Sequence, residues 1–383
     1  MIDSSQRAWA TIDLHALKKN LSQANIHCPE SQIIPVIKAN AYGHGVEQVA
    51  QALSAAHTKL AAFAVASLEE AMELRTLGLD TPILLLSGFR NREEMELCLN
   101  HSIEPVVHSS YQFEELARYL QNEILSGVGR IWVKFNSGMN RLGLSKDEAL
   151  QVYADLHKHP ETEVVLMSHL ASADEIEDSS AVDFTNRQIA EFDSLKEQIA
   201  HSTQGPVNAT LAASAAILEL PQTHQQFVRP GIMLYGGSPF RNRTSAELGL
   251  LPVMTLRSRL LAVNTVKAGA SIGYGATYTC EQDTRVGVVS IVYADGYPRS
   301  AKNGTPVLVE SASGVKRSQL LGRVSMDMIT VDLSDIDDAQ PGDEVVLWGD
   351  GLAADEVAHC ADTISYELFC RVTKRVSFVY TDE

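Results

Sequence analysis

The chain has 383 residues, 45% hydrophobic and 21% charged, with a formal net charge of −17 at pH 7. That length and composition suit one large folded domain plus a smaller one and exclude disorder of the chain as a whole. The acidity repels phosphate backbones, which argues against nucleic acid as a partner and suits plain solubility.

Five cysteines, an odd number with no CxxC pair, exclude a disulfide framework and a cysteine-held metal site, so no metal is expected. Met1 to Trp9 carries no apolar core of a signal peptide, and no apolar run reaches membrane-spanning length. A cytoplasmic chain without membrane attachment is the expectation.

Along the first part, short apolar runs alternate with amphipathic ones. Strands are predicted at Ile33–Lys38, Ala61–Ala66, Pro82–Leu86, Ile103–His108, Ile131–Phe135, Val164–His169, Pro206–Thr210 and Phe227–Gly231. Between them fall helical signals. Asp13 caps a run with Leu14, Leu17 and Leu21 on one face, and Ser67-Leu68-Glu69-Glu70 is a capping box. Glu114–Leu120 and Phe184–Ile199 also carry helical spacing. Eight strand–helix alternations predict a (β/α)8 TIM-type barrel over 13–240. A doubly wound open sheet is the rival, but no G-x-G-x-x-G follows a strand.

After about Pro239 the texture becomes β-rich, with strands expected at Val253–Thr265, Val286–Tyr293, Pro306–Glu310, Met328–Leu333 and Glu344–Trp348. A C-terminal mostly β domain over 241–383 is expected, with the linker near Arg241–Glu247. Residues 1–12 read as a strand joining it.

The run Val36-Ile37-Lys38-Ala39-Asn40-Ala41-Tyr42-Gly43-His44-Gly45 is the most informative. A lysine ending an apolar strand of a barrel stands at the mouth where such folds carry chemistry. Apolar walls disfavour its charged form and make its amine a better nucleophile for a carbonyl. Taken alone, it reads more readily as a strand-end lysine with its head in water.

The whole run resembles the cofactor-lysine motif of the alanine racemase family. Seven further segments resemble that family in the same order: Lys134–Gly143, Met167–Asp174, Val228–Gly236, Ser271–Thr279, Tyr293–Arg299, Gly322–Asp332 and Thr363–Arg375. The resemblance implies a pyridoxal 5'-phosphate enzyme interconverting L- and D-alanine, with Lys38 binding the cofactor as a Schiff base. It places Tyr42, Ser214, the backbone of Gly231 and Ile232, and Tyr366 at the cofactor phosphate. It sets Arg229 against the pyridine nitrogen and His169 beside Arg229.

Racemisation needs proton exchange on both faces of Cα. By resemblance the two bases are Lys38 and Tyr274, the latter from a partner subunit together with Met326. A homodimer sharing its active sites is therefore implied. Arg141 and Met326 correspond to substrate-carboxylate positions, with Asp327 beside them. Lys134 corresponds to a lysine often carbamylated in the family, and Tyr293 and Tyr366 to a pair that narrows the entrance. The expected role is supply of D-alanine, a peptidoglycan precursor.

Four positions depart from the usual pattern. Asn136 replaces a common aspartate, Ala213 a common asparagine and Ser325 an occasional cysteine, and Arg375-Val376-Ser377-Phe378 lacks a frequent proline. The alternatives are a broader small-amino-acid or serine racemase, a same-fold amino-acid decarboxylase, and a non-catalytic pyridoxal-phosphate carrier. Arg229 argues against the decarboxylase and the β domain with Tyr274 against the carrier.

Overall fold

The computed structural model describes residues 6–56, 58, 60–120 and 129–382. The chain divides into two compact units. One is built from 21–41 and 45–231, the other from 6–20, 42–44 and 232–382.

The chain opens with β1 (Ala8–Asp13) and α1 (Leu14–His27), where the Asp13 carboxylate accepts from the Ala16 N–H at 2.8 Å, the expected cap. Parallel strands follow: β2 (Gln32–Ile33), β3 (Phe63–Val65), β4 (Ile83–Leu85), β5 (Ile103–Val107), β6 (Arg130–Lys134), β7 (Glu163–Met167), β8 (Asn208–Ala213) and β9 (Phe227–Arg229). They pair in the order β2-β9-β8-β7-β6-β5-β4-β3. Bridges from Ile33 to Leu60 and from Val36 to Ala64 join the first strand to β3 and close the barrel. Residues of β3 and β4 are buried on both faces, which is why those strands read as unbroken apolar runs.

The helices between them are α2 (Val46–Ser54), α3 (Leu68–Thr76), α4 (Arg92–Asn100), α5 (Ser110–Leu120), α6 (Lys146–Leu156), α7 (Ser179–Thr203) and α8 (Ser214–Glu219). Ser67 and Glu70 form the expected capping box of α3.

Every expected barrel strand is present, but several bounds shift. The first does not run on to Lys38. Pro35 has no N–H to give to a ladder, and after Ile37 the backbone leaves extended geometry. The strand expected at Pro206–Thr210 lies at Asn208–Ala213, again clear of a proline. That expected to reach His169 stops at Met167.

The other unit holds a largely antiparallel sheet of β10 (Met254–Val266), β13 (Thr284–Val289), β14 (Pro306–Ser311), β15 (Gly314–Leu321), β16 (Ile329–Asp332), β17 (Glu344–Trp348) and β18 (Ser377–Thr381), with a small hairpin of β11 (Ser271–Ile272) and β12 (Tyr278–Thr279). β1 joins it, antiparallel to β10 and parallel to β18. The expected strand Val286–Tyr293 ends at Val289, and Tyr293 instead opens a one-turn helix. β15 and β18 were not foreseen, nor were α9 (Ala354–Cys360) and α10 (Ser365–Arg371). β15 carries Lys316, Arg317, Ser318 and Gln319 on a mostly exposed stretch, which hides strand character from a hydrophobic reading.

At the N-terminal ends of the barrel strands, the Arg130 Nε donates to both Glu104 carboxylate oxygens at 2.8 and 3.0 Å, and its Nη2 donates to the Ala61 carbonyl at 2.6 Å. The Trp132 Nε1 donates to the same carboxylate at 2.9 Å. Both charges are buried. Arg130→Met leaves the Glu104 charge without its partner and is expected to cost about 3–5 kcal/mol. Arg130→Met with Glu104→Leu should recover much of that loss; urea unfolding of both variants measures it.

Candidate active site

The opposite, C-terminal ends of the barrel strands gather the basic residues. Lys134 is the last residue of β6 and Arg229 the last of β9. His169 lies two residues past β7, Arg141 in the loop after β6, and Lys38 just beyond the first strand.

Lys38 starts an unusual turn. Ala39, Asn40, Ala41 and Tyr42 have φ of 54°, 53°, 54° and 52°, four consecutive left-handed residues with no glycine among them. Ala39, Ala41 and Tyr42 each lose roughly 1–2 kcal/mol relative to right-handed backbone, a cost that Asn40 largely escapes, so the surroundings must hold the turn. The Asn40 side chain accepts from the Val46 N–H at 2.8 Å and its carbonyl from the Gly45 N–H at 3.1 Å, tying the turn to the start of α2.

Arg229 is buried and anchored on three acceptors: the Thr210 hydroxyl, the Ser168 carbonyl at 2.8 Å and the Leu211 carbonyl at 3.2 Å. Burial lowers its pKa to about 10, which leaves it protonated at neutral pH. The half-buried His169 is driven down to about 3, first by burial and then by Arg229, Lys134, Arg141 and Lys38. Its ring is therefore neutral throughout the physiological range. Lys134 is lowered to about 8 by burial and by Arg229, Arg141 and Lys38. Five of the expected site residues thus share one locality, and the charged groups acting on His169 there are all cations. Lys134, Arg141 and His169 line a small concavity with Asn136, Ser137 and Ser168.

Ser214 and Gly231, both expected at a phosphate, meet each other: the Gly231 N–H donates to Ser214 Oγ at 2.9 Å. Such a donor set, cationic or neutral, fits anionic groups such as a phosphate and a carboxylate. Among the described residues no group of histidine, cysteine and carboxylate side chains is arranged to hold a metal.

The remaining expected residues belong to the other unit. Tyr42 is buried, stacks on Tyr235 at 4.8 Å between centroids and lies 6.0 Å from Tyr366. Gly43 has φ +79°, and a Cβ there would sit 2.2 Å from the Phe369 carbonyl oxygen, so the segment packs directly on α10. Ile232 is buried at the start of a one-turn helix. Tyr274 stands on another one-turn helix between Gly273 (φ +73°) and Gly275 (φ +75°), and is 73% exposed. Met326 is 58% exposed and Tyr293 also faces solvent.

Reading the sequence missed Thr210 and Ser168, which orient Arg229, and Gln188, whose side chain donates to the His169 carbonyl and accepts from the Ala171 N–H. Nothing short-range marks them, since each acts on a residue from another strand or loop.

Residues 12–239 match the family model for the alanine racemase N-terminal domain and 253–380 that for the C-terminal domain. The chain is 44% identical to the alanine racemase of Nitrosomonas europaea over 371 residues, 97% of each chain, and 44% identical to that of Vibrio vulnificus over 378 residues, covering 98% and 99%. A crystal structure of the biosynthetic alanine racemase from Pseudomonas aeruginosa superposes with a TM-score of 0.88 at 41% identity, over 98% of this chain and 99% of that one. The alanine racemase of Bartonella henselae, solved with covalently bound pyridoxal phosphate, superposes with 0.83 at 29% identity, over 98% and 99%. With both halves of the chain matched and relatives this similar along nearly its whole length, the chain belongs to the alanine racemase family.

Proposed function

We propose that the chain interconverts L- and D-alanine with pyridoxal phosphate bound at Lys38, and that Lys38 and Tyr274 are its two bases. The observation that carries this reading is the set of four cations around a neutral imidazole at the barrel mouth. When bound, pyridoxal phosphate supplies a sink for the electron pair left at Cα.

The protein's own groups do the rest. Lys38 Nζ exchanges the Cα proton on the D face, and Tyr274 Oη does so on the L face. Arg229, which stays protonated, is the residue that would face the ring nitrogen of a bound cofactor, where a donor would keep a proton off it. This weakens electron withdrawal and favours proton return over bond cleavage, which argues against a decarboxylase. His169, within the electrostatic reach of that guanidinium, stays neutral and adds no charge. The hydroxyls of Tyr42, Ser214 and Tyr366 and the N–H groups of Gly231 and Ile232 are assigned to the phosphate. Arg141 and Met326 are assigned to the substrate carboxylate.

Tyr274 and Met326 are exposed in a single copy, which supports a homodimer in which each copy supplies them to the other's site. No helix among the described residues is long and apolar enough to cross a membrane, which suits a cytoplasmic enzyme supplying D-alanine for peptidoglycan. The relatives named above are all alanine racemases, and alanine is accordingly the substrate proposed over serine or a larger amino acid.

Lys134, with its lowered pKa, exposes a sizeable neutral-amine fraction near pH 8. That amine adds to carbon dioxide, forming an N–C bond and releasing a proton, and the resulting anion pairs with Arg141. Native mass spectrometry in bicarbonate should show the gain of one carbon dioxide, absent in Lys134→Met.

Lys38→Ala should abolish D-alanine formation from L-alanine together with the absorbance of covalently held cofactor. Tyr274→Phe should bind cofactor normally yet lose roughly 10²–10⁴-fold in racemisation; full activity in that variant removes the second base.

The titration of His169 also has a signed consequence. Its folded pKa of about 3 lies below the ordinary 6.5, so the unfolded chain binds the proton first as pH falls. Stability contributed by neutral His169 is complete above pH 6.5 and is lost between 6.5 and 3. Urea midpoints of the apoprotein should fall more steeply over that window than those of His169→Asn.

A further inference from the structure

Glu70 ends up somewhere its capping role does not require. As the third residue of α3 it closes a capping box with Ser67: Oε2 accepts from the Ser67 N–H at 3.2 Å, and the Glu70 N–H donates to Ser67 Oγ at 3.3 Å. The same Oε2 accepts from the Ala66 N–H at 2.7 Å. Oε1 reaches out of the box altogether and accepts from the Ala39 N–H at 2.6 Å. Ala39 follows Lys38 and is the first residue of the left-handed turn.

We propose that Glu70 is a positioning residue for Lys38, its carboxylate pinning the left-handed turn so that the lysine amine is presented in one orientation. The inference rests on the assignment of Lys38 as cofactor lysine and base.

A carboxylate, with two acceptor oxygens, serves these partners together. Both oxygens face backbone N–H donors, three in all, and a carboxylate is acceptor-only. A glutamine offers one acceptor oxygen and turns its amide donor toward an N–H. The turn has a measurable need for such a tie, since four non-glycine residues hold positive φ in succession. Asn40 fixes the far side of the turn to α2, and Glu70 fixes the near side to the strand–helix junction after β3. The lysine leaves the backbone next to the second of these fixed points.

The test compares Glu70→Gln with Ser67→Ala. The second removes the cap hydroxyl but keeps the carboxylate on Ala39, so it reports what a weakened helix cap does by itself. Glu70→Gln alone should speed deuterium exchange in a peptide covering 39–42. It should also slow covalent reloading of the apoprotein with pyridoxal phosphate by roughly tenfold or more, the worth of a hydrogen bond to a charged group. In the holoenzyme, the primary isotope effect on Cα-deuterated D-alanine should rise in Glu70→Gln while that on L-alanine does not, because the Lys38 step becomes slower. A smaller folded fraction alters neither isotope effect. Equal exchange, reloading and isotope effects in the two variants overturn the proposal. Borohydride reduction of the wild-type holoenzyme followed by peptide mapping separates the two assignments: a label away from Lys38 removes the Lys38 reading itself, whereas a label on Lys38 with indifferent Glu70→Gln removes only the role of Glu70.

Discussion

The site is governed by like charge held together. Lys38, Lys134, Arg141 and Arg229 all act on His169, and all in the same direction. Two unit charges near 4 Å repel by roughly 4 kcal/mol at the screening typical of a protein surface. Repulsion of this kind is eased where a neighbouring group sheds its proton or an anion binds. The protein does the first at His169 and in part at Lys134, whose pKa values fall by burial and by this field. A phosphorylated ligand and an amino-acid carboxylate supply the second. Arg229 is the member that does not yield: even wholly buried it keeps its proton at neutral pH, so a fixed donor can be placed where a lysine or histidine would have become neutral.

The two ends of the barrel handle buried charge in opposite ways. At the N-terminal ends of the strands, Arg130 and Glu104 neutralise each other, and Trp132 and the Ala61 carbonyl take up further hydrogen-bonding capacity. Burial pushes the Glu104 carboxyl up while Arg130 and Trp132 pull it back. At the C-terminal ends the acceptors of Arg229 among the described residues, Thr210, Ser168 and Leu211, are neutral. Those partners fix its geometry without cancelling its charge. A carboxylate in their place would stabilise the empty fold and weaken the field available to a ligand, which is the usual opposition between stability and function at a binding site.

Much of this was legible in the sequence because it rests on local pattern. The barrel strands show as apolar runs since both faces are buried, and the capping box at Ser67–Glu70 is a four-residue signal. Placement of Lys38, Lys134, His169 and Arg229 at one end follows from each lying at or just past a strand's C-terminal end, once the barrel is granted. The β unit was less legible. β15 is mostly exposed and polar, and α9 and α10 are seven residues each, too short for helical periodicity to stand out.

What the sequence concealed is held by contacts between distant residues. In Ala-Asn-Ala-Tyr only Asn40 is at home at positive φ, and Ala39, Ala41 and Tyr42 by their own preference belong elsewhere. The turn exists because partners on both sides hold it: Val46 and Gly45 on one flank, and Glu70, 31 residues along the chain from Ala39, on the other. In the same way Arg229 takes its direction from Ser168, 61 residues away, and from Thr210, 19 away. The chemical identity of the site is thus written in single residues that a motif can display. Its geometry is written in pairs, and a pair becomes visible only when the closed sheet brings the strand ends side by side.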